Sequence, residues 1–164
     1  MDFRIEPMQT GDWPQVSMIY KEGIDTGNAT FETTVPEWAV WDEKHRPDCR
    51  LVARHSESIL GWAALTSVSS RCVYAGVAEV SVYVAAAGRG QGIGRALLER
   101  LVAESEQAGL WMLQASIFPE NMTSITLHTA CGFREVGRRE KIGQMNGLWR
   151  DTVFMERRSR IVGV

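Results

Sequence analysis

Between Ala85 and Arg95 the chain reads Ala-Ala-Ala-Gly-Arg-Gly-Gln-Gly-Ile-Gly-Arg, and this run constrains the fold more than any other segment. Ahead of it, Ala78 to Val84 alternates as a strand, with Val80, Val82 and Val84 on one face and Glu79, Ser81 and Tyr83 on the other. Behind it, Ile93, Leu97, Leu101 and Val102 recur at the helical period until Gly109 supplies a C-terminal cap. The glycines therefore join a strand to the first turn of a helix, where backbone N–H groups lack intrahelical acceptors and favour an anion. Gly90, Gly92 and Gly94 allow close approach and positive φ, while Arg89 and Arg95 add charge suited to a phosphate. Two glycines would suit an ordinary tight turn; three, alternating between arginines, point to a phosphate-bearing ligand. A P-loop would end in Gly-Lys-Ser/Thr, but this loop ends Ile93-Gly-Arg-Ala, which argues against nucleoside triphosphate hydrolysis. The G-x-G-x-x-G dinucleotide spacing is missing too, and the loop lies in mid-chain after several strands.

The remaining segments fall into place around that junction. Phe3 to Glu6 alternates as a short strand. Thr10 to Pro14 brings a cap residue and an early proline before Trp13, Val16, Ile19, Tyr20 and Ile24 recur as a helix. Asp25 to Thr33 reads as loop, and Thr34-Val-Pro-Glu37 offers a capping box ahead of a second helix carrying Trp38 and Trp41. Leu51 to Ala53 and Ile59 to Val68 form a hairpin of buried strands around a polar turn at His55. Leu110 to Phe118 is a strand, and Asn121 caps a helix running to about Cys131, which Gly132 closes. Phe133 to Lys141 and Trp149 to Arg157 are the last strands. The order β-α-α-β-β-β-α-β-α-β-β predicts an α/β fold, with a mixed central sheet of about seven strands flanked by helices on both faces.

Length bounds this to one domain spanning 1–164. With 18 Lys and Arg against 20 Asp and Glu, the net charge is -2, so no overall field draws the chain to nucleic acid. No apolar stretch is long enough to span a membrane, and Asp2, Arg4 and Glu6 occupy the start, where a signal peptide would be apolar. A cytoplasmic location is expected. Cys49, Cys72 and Cys131 contain no CxxC pair and read as reduced, buried thiols. His45 and His55 read as surface residues, no spacing suits a metal ion, and the six tryptophans read as packing.

The Arg89-x-x-Gly92-x-Gly94 loop after a Val-x-Val strand resembles the pyrophosphate-binding loop of the GCN5-related N-acetyltransferases. Within that superfamily the chain is similar to the phosphinothricin and methionine sulfone acetyltransferase group along nearly its whole length. The matching stretches are Ile19-Tyr20, Ala29-Thr-Phe-Glu32 with Pro36 and Trp38, Arg71 to Tyr74, Glu79 to Val84, the glycine loop, Asn121 to His128, Gly132-Phe133 and Gly147-x-Trp149-x-Asp151. The resemblance implies the acyl-CoA N-acyltransferase fold with a mostly antiparallel sheet, acetyl-CoA as co-substrate, no metal, and a homodimer.

It also implies a division of labour. Glu79 resembles the group's general base, and a glutamate on an otherwise apolar strand fits that role. Acetyl-CoA is expected on the backbone of Val82 and Val84, on Arg89, Gly90, Gln91, Gly92, Ile93, Gly94 and Arg95, and on Asn121 and Ser124. His128 occupies the place of a proton donor to the leaving thiolate; an imidazole with pKa near ~6.5 suits that work or a simple bond to backbone, and both readings stay open. Phe31, Glu32, Arg71 and Tyr74 correspond to the acceptor site, with Arg71 gripping a carboxylate. One departure bears on substrate: Arg150 stands where the group commonly carries histidine, and a fixed charge there would alter acceptor preference if it lined the pocket. The resemblance implies direct transfer from acetyl-CoA to the α-amine of a small amino-acid-like acceptor, and no cysteine sits in a nucleophile setting. The alternatives are the same fold acting on a protein N-terminus or polyamine, and a non-catalytic acyl-CoA sensor that would dispense with Glu79.

Overall fold

The structure, a computed structural model, describes residues 1–164. In chain order it contains β1 (Arg4–Pro7), α1 (Trp13–Asp25), α2 (Trp38–Lys44), β2 (Leu51–His55), β3 (Ser58–Ser67), β4 (Val77–Val84), α3 (Ile93–Gln107), β5 (Met112–Ile117), α4 (Met122–Ala130), β6 (Arg134–Met145) and β7 (Leu148–Arg158). Three short 3-10 turns lie between them.

The strands form one sheet in the order β1-β2-β3-β4-β5-β7-β6. Every neighbouring pair is antiparallel except β4 with β5, the pair that the long helix α3 connects. A parallel pair needs such a crossover, and a helix long enough to return the chain supplies it. Helices cover both faces. On one, Ile93, Leu97, Leu98, Leu101 and Val102 of α3 pack on Ala63, Leu65, Ala78, Val80, Leu113 and Ala115. On the other, Val16, Ile19 and Tyr20 of α1 and Trp41 of α2 pack on Val52, Ile59, Trp62 and Ala64. The same strands feed both cores because successive side chains alternate between faces.

The register of β4 and β5 positions the site. They pair only over Val77–Glu79 and Met112–Gln114, whereas β4 stays paired with β3 as far as Val84. Beyond Glu79 the two central strands part, and the β5-facing backbone groups of β4 lose their strand partner.

Four local readings change. The capping box at Thr34 does not form: α2 begins at Trp38 with Glu37 as N-cap and no side-chain cap, because Pro36 disfavours helical geometry at Val35. The last hairpin is longer than its apolar pattern, since Asn146 and Gly147 take φ of 50° and 80° and close a two-residue turn between Met145 and Leu148. His45 is half-buried rather than superficial: its ring stacks 4.0 Å from Trp41, Nδ1 lies 2.7 Å from the Trp41 carbonyl, and burial lowers its pKa. Of the three free thiols only Cys49 is buried; Cys131 is partly exposed, and Cys72 lies open in the turn before β4. No helix is long and apolar enough to cross a membrane.

Candidate active site

The parting of β4 and β5 opens a cavity. Glu79, Ser81, Val82 and Tyr83 line one wall, and Ala115, Ser116, Ile117 and Phe118 the other. Thr30 and Phe31 close it from the loop after α1, Asn121, Ser124 and His128 from α4, and Thr152 from β7.

Glu79 sits where the last β4–β5 pair ends, beside Gln114. Burial pushes its carboxyl above the ordinary value; the neighbouring polar side chains of Gln114 and Ser116 and the charge of Arg139 pull in the opposite direction without cancelling that push. A raised carboxyl is a stronger proton acceptor than a free one, which suits general base work.

Downstream of β4, Gly92 is the N-cap of α3 with φ 79°, and Gly90 has φ 73°. An added Cβ at either position would meet nothing within 4 Å, so the loop backbone faces open space there. No backbone N–H from Gly90 to Arg95 has a protein acceptor. A row of free donors at a helix N-terminus fits a pyrophosphate. Ile93 contributes only its backbone, because its side chain is buried in the core. Gln91 is turned back onto the Ala87 carbonyl, Arg95 pairs with Glu99 at 2.7 Å, and Arg89 is exposed. The side chains of Val82 and Val84 are half-buried against the α3 core; Val82 also lines the cavity, and Val84 does not.

Helix α4 starts as the sequence indicates. Asn121 Oδ1 accepts from the Ser124 N–H at 3.2 Å, and the same side chain donates through Nδ2 to the Asn28 carbonyl at 3.2 Å. One turn on, His128 is 4% exposed. Its Nδ1 lies 2.7 Å from the Ser124 carbonyl, so Nδ1 carries the hydrogen and Nε2 the lone pair in the neutral ring. Burial lowers its pKa, so proton donation from Nε2 needs an imidazolium that the surroundings disfavour.

The residues expected at an acceptor site divide. Phe31 lines the cavity, edge-on to Phe118 with centroids 4.8 Å apart. Glu32 is exposed and outside the lining. Arg71 and Tyr74 also lie outside it, with the guanidinium 5.4 Å over the tyrosine ring. Tyr74 borders a second cavity with Val77, Met112, Gln114, Phe154 and Glu156, on the sheet face that carries Glu79. Arg150 does not line the cavity between β4 and β5. No cluster of three or more His, Cys, Asp or Glu side chains could hold a metal ion.

Residues that sequence reading passed over are Gln114, Ser116 and Thr152. The first two alternate with Leu113, Ala115 and Ile117 on a buried strand, and polar side chains on one face of such a strand are the signal that marks them. Thr152 is 4% exposed and its hydroxyl has no partner, which only the packing around β7 reveals. Thr152→Val removes a hydroxyl that makes no hydrogen bond in the free protein, so thermal melting is expected unchanged or slightly higher. If the hydroxyl serves bound acceptor, turnover at low acceptor falls about tenfold in the same variant; calorimetry and initial rates read the two effects separately.

Comparison with known proteins agrees with this geometry. The acetyltransferase (GNAT) family model matches residues 13–133. The chain is 34% identical over 163 residues to a phosphinothricin N-acetyltransferase of Alcaligenes faecalis, covering 93% of this chain and 81% of that one. It is 29% identical over 162 residues to an L-methionine sulfoximine/L-methionine sulfone acetyltransferase of Pseudomonas paraeruginosa, covering 95% and 94%. The crystal structure of a Sinorhizobium meliloti phosphinothricin acetyltransferase in complex with AcCoA superposes with a TM-score of 0.86 at 31% identity, covering 96% of this chain and 89% of that one. With a parted central sheet, a donor-rich glycine loop and a family match across most of its length, the chain belongs to the acetyltransferase (GNAT) family and is an acetyl-CoA-dependent N-acetyltransferase.

Proposed function

We propose that this enzyme acetylates the α-amine of a small amino-acid-like acceptor of the phosphinothricin, methionine sulfone or methionine sulfoximine type. The observation that carries the reading is Glu79, a carboxyl raised by burial at the point where β4 and β5 part, within the cavity that the glycine loop's strand also lines. The named relatives support the acceptor class.

Acetyl-CoA supplies the activated thioester acetyl. In this reading the free donors from Gly90 to Arg95 take its pyrophosphate, and the unpaired β4 backbone at Val82 and Val84 takes the arm and the acetyl carbonyl. An α-amine with pKa near ~8 is partly neutral at working pH, so a single base suffices. Glu79 accepts the proton that the amine nitrogen loses as the new N–C bond forms and the C–S bond breaks; CoA leaves as the thiolate, which takes the C–S electron pair and then a proton from solvent. Transfer is direct, because Cys49 is buried and raised to about 11, Cys131 is raised by burial, and neither Cys131 nor Cys72 lines the cavity. Ser124 and Asn121 face the cofactor from α4, and His128 holds that helix through the Ser124 carbonyl. Phe31 is the acceptor's apolar wall. Arg71, stacked over Tyr74 beside the second cavity, is the anchor for the acceptor carboxylate, and Glu32, next to Phe31 in the chain, belongs to the same acceptor loop. The reading includes a homodimer, in which the exposed Leu148 and Trp149 find cover; sedimentation measures it.

The test is acetyl-CoA-dependent thiol release across phosphinothricin, methionine sulfone, methionine sulfoximine, ordinary amino acids, polyamines and a peptide with N-terminal alanine. Turnover confined to the amino-acid analogues is expected. Turnover of the peptide or polyamine alone would replace this acceptor class.

A further inference from the structure

The segment from Asn28 to Pro36 carries the wall residues Thr30 and Phe31, yet no backbone–backbone hydrogen bond holds any of it. Side chains hold it instead. Thr30 meets the Tyr20 and Tyr83 hydroxyls, Asn121 donates to the Asn28 carbonyl, and Phe31 lies between Phe118 and the backbone of Gly143, where an added Cβ would come within 2.8 Å of the ring.

Val35 packs on the core under α1, and Arg150 ties the start of the segment. From β7 its guanidinium donates to the Gly27 carbonyl at 2.9 Å, to Asn28 Oδ1 at 3.0 Å and to Glu120 at 3.3 Å. The guanidinium carbon sits 3.9 Å over the Phe118 ring, on the phenylalanine that Phe31 also touches. The Arg150 side chain is 15% exposed. Its donors are directed at the loop rather than at the cavity, so its charge is spent on protein groups. Arginine suits this because a planar fork can bridge two loop acceptors while its face stacks on an aromatic ring. A loop without backbone hydrogen bonds belongs to the low-stability part of a fold, so its position follows the side chains that grip it.

We propose that Arg150 is a positioning residue of the acceptor site, a clasp that fixes the Gly27–Asn28 backbone and the Phe118 ring so that Phe31 stands as the acceptor's wall. The inference rests on the acceptor reading above for its kinetic arm only. It moves the influence of this position from direct charge recognition to loop geometry: Arg150 acts on acceptor affinity without touching the acceptor. It also places Asn121 and Arg150 on the same loop residue, which ties the α4 terminus to the acceptor wall.

The experiment compares wild type with Arg150→Met, which keeps the stem on Phe118 and removes the donors, Arg150→Lys, and Asn28→Ala, an exposed loop-side change that spares β7. The rate of limited chymotryptic cleavage after Phe31 in the enzyme without acceptor, and KM for acceptor and for acetyl-CoA, are measured on each. Expected are cleavage about tenfold faster and acceptor KM about tenfold higher in Arg150→Met, given the worth of charge-assisted hydrogen bonds. Acetyl-CoA KM and kcat at saturating acceptor stay within about twofold, Arg150→Lys falls between, and Asn28→Ala shifts acceptor KM in the same direction. Unchanged cleavage and unchanged acceptor KM in Arg150→Met overturn the clasp, and so does a loss confined to kcat or acetyl-CoA KM. If Arg150→Met does not fold, Asn28→Ala decides by the same criteria. If no analogue is turned over by wild type, the acceptor reading fails while cleavage still decides the clasp.

Discussion

Glu79→Gln is expected to lower kcat/KM for the acceptor by about 10²- to 10⁴-fold, the usual worth of a positioned general base, while KM for acetyl-CoA stays unchanged. The pH profile identifies the cause. Burial raises the Glu79 carboxyl, so the group is protonated and unable to accept a proton below that raised value, and activity falls as pH falls through it. A second loss on the acid side belongs to the acceptor amine near ~8. In Glu79→Gln the carboxyl limb disappears and only the amine limb remains. Stability separates this from unfolding. A carboxyl whose folded pKa is raised stabilises the fold fully below its unfolded pKa and loses that contribution as pH rises through the folded one. At neutral pH the neutral glutamine is therefore expected to melt no lower than wild type. Unchanged turnover in Glu79→Gln, measured by thiol release from the ordinary carboxyl value of 4.5 upward through the amine limb near ~8, would assign proton removal to water or another group.

Gly92→Val is the counterpart at the cofactor loop. Gly92 caps α3 with φ 79°, a region a β-branched residue occupies only at a cost of about 1–3 kcal/mol. The valine side chain also projects into space that no protein atom fills within 4 Å, within the run of free donors from Gly90 to Arg95. KM for acetyl-CoA is expected to rise about tenfold to a hundredfold, with acceptor KM little changed. Gly92→Asn separates the two causes, because asparagine tolerates left-handed geometry but still obstructs the cradle. An intermediate rise in Gly92→Asn assigns part of the loss to obstruction. Wild-type acetyl-CoA KM in both variants would remove the loop from pyrophosphate binding.

Two alternations carried most of the architecture. In β4 a period of two separates Val80, Val82 and Val84 from Glu79, Ser81 and Tyr83, and the structure keeps that division, with the valines against α3 and Glu79 in the cavity. In α3 the spacing of Ile93, Leu97 and Leu101 sets the buried stripe, and Gly92, Gly109 and Gly132 stand in left-handed geometry at helix ends. These are short-range properties. Side-chain direction follows from backbone period, and glycine is placed by a φ that other residues avoid, so a linear chain displays them.

Tertiary structure decided what depends on residues far apart in sequence. The Glu79 pKa is set by burial and by Gln114, Ser116 and Arg139, which reach it through strand order. The tautomer of His128 follows from which carbonyl its Nδ1 meets. Arg71 reads in sequence as a carboxylate anchor just before the Glu79 strand; the fold adds that it stacks on Tyr74 beside a second cavity. Arg150 is the sharpest case. In the chain it is a charge in a strand, 122 residues from Asn28, and only the packing of β7 against the loop after α1 turns its donors away from the cavity and onto the backbone of that loop. Local periodicity is written along the sequence; a hydrogen-bond partner is chosen by the fold that brings two distant segments into contact.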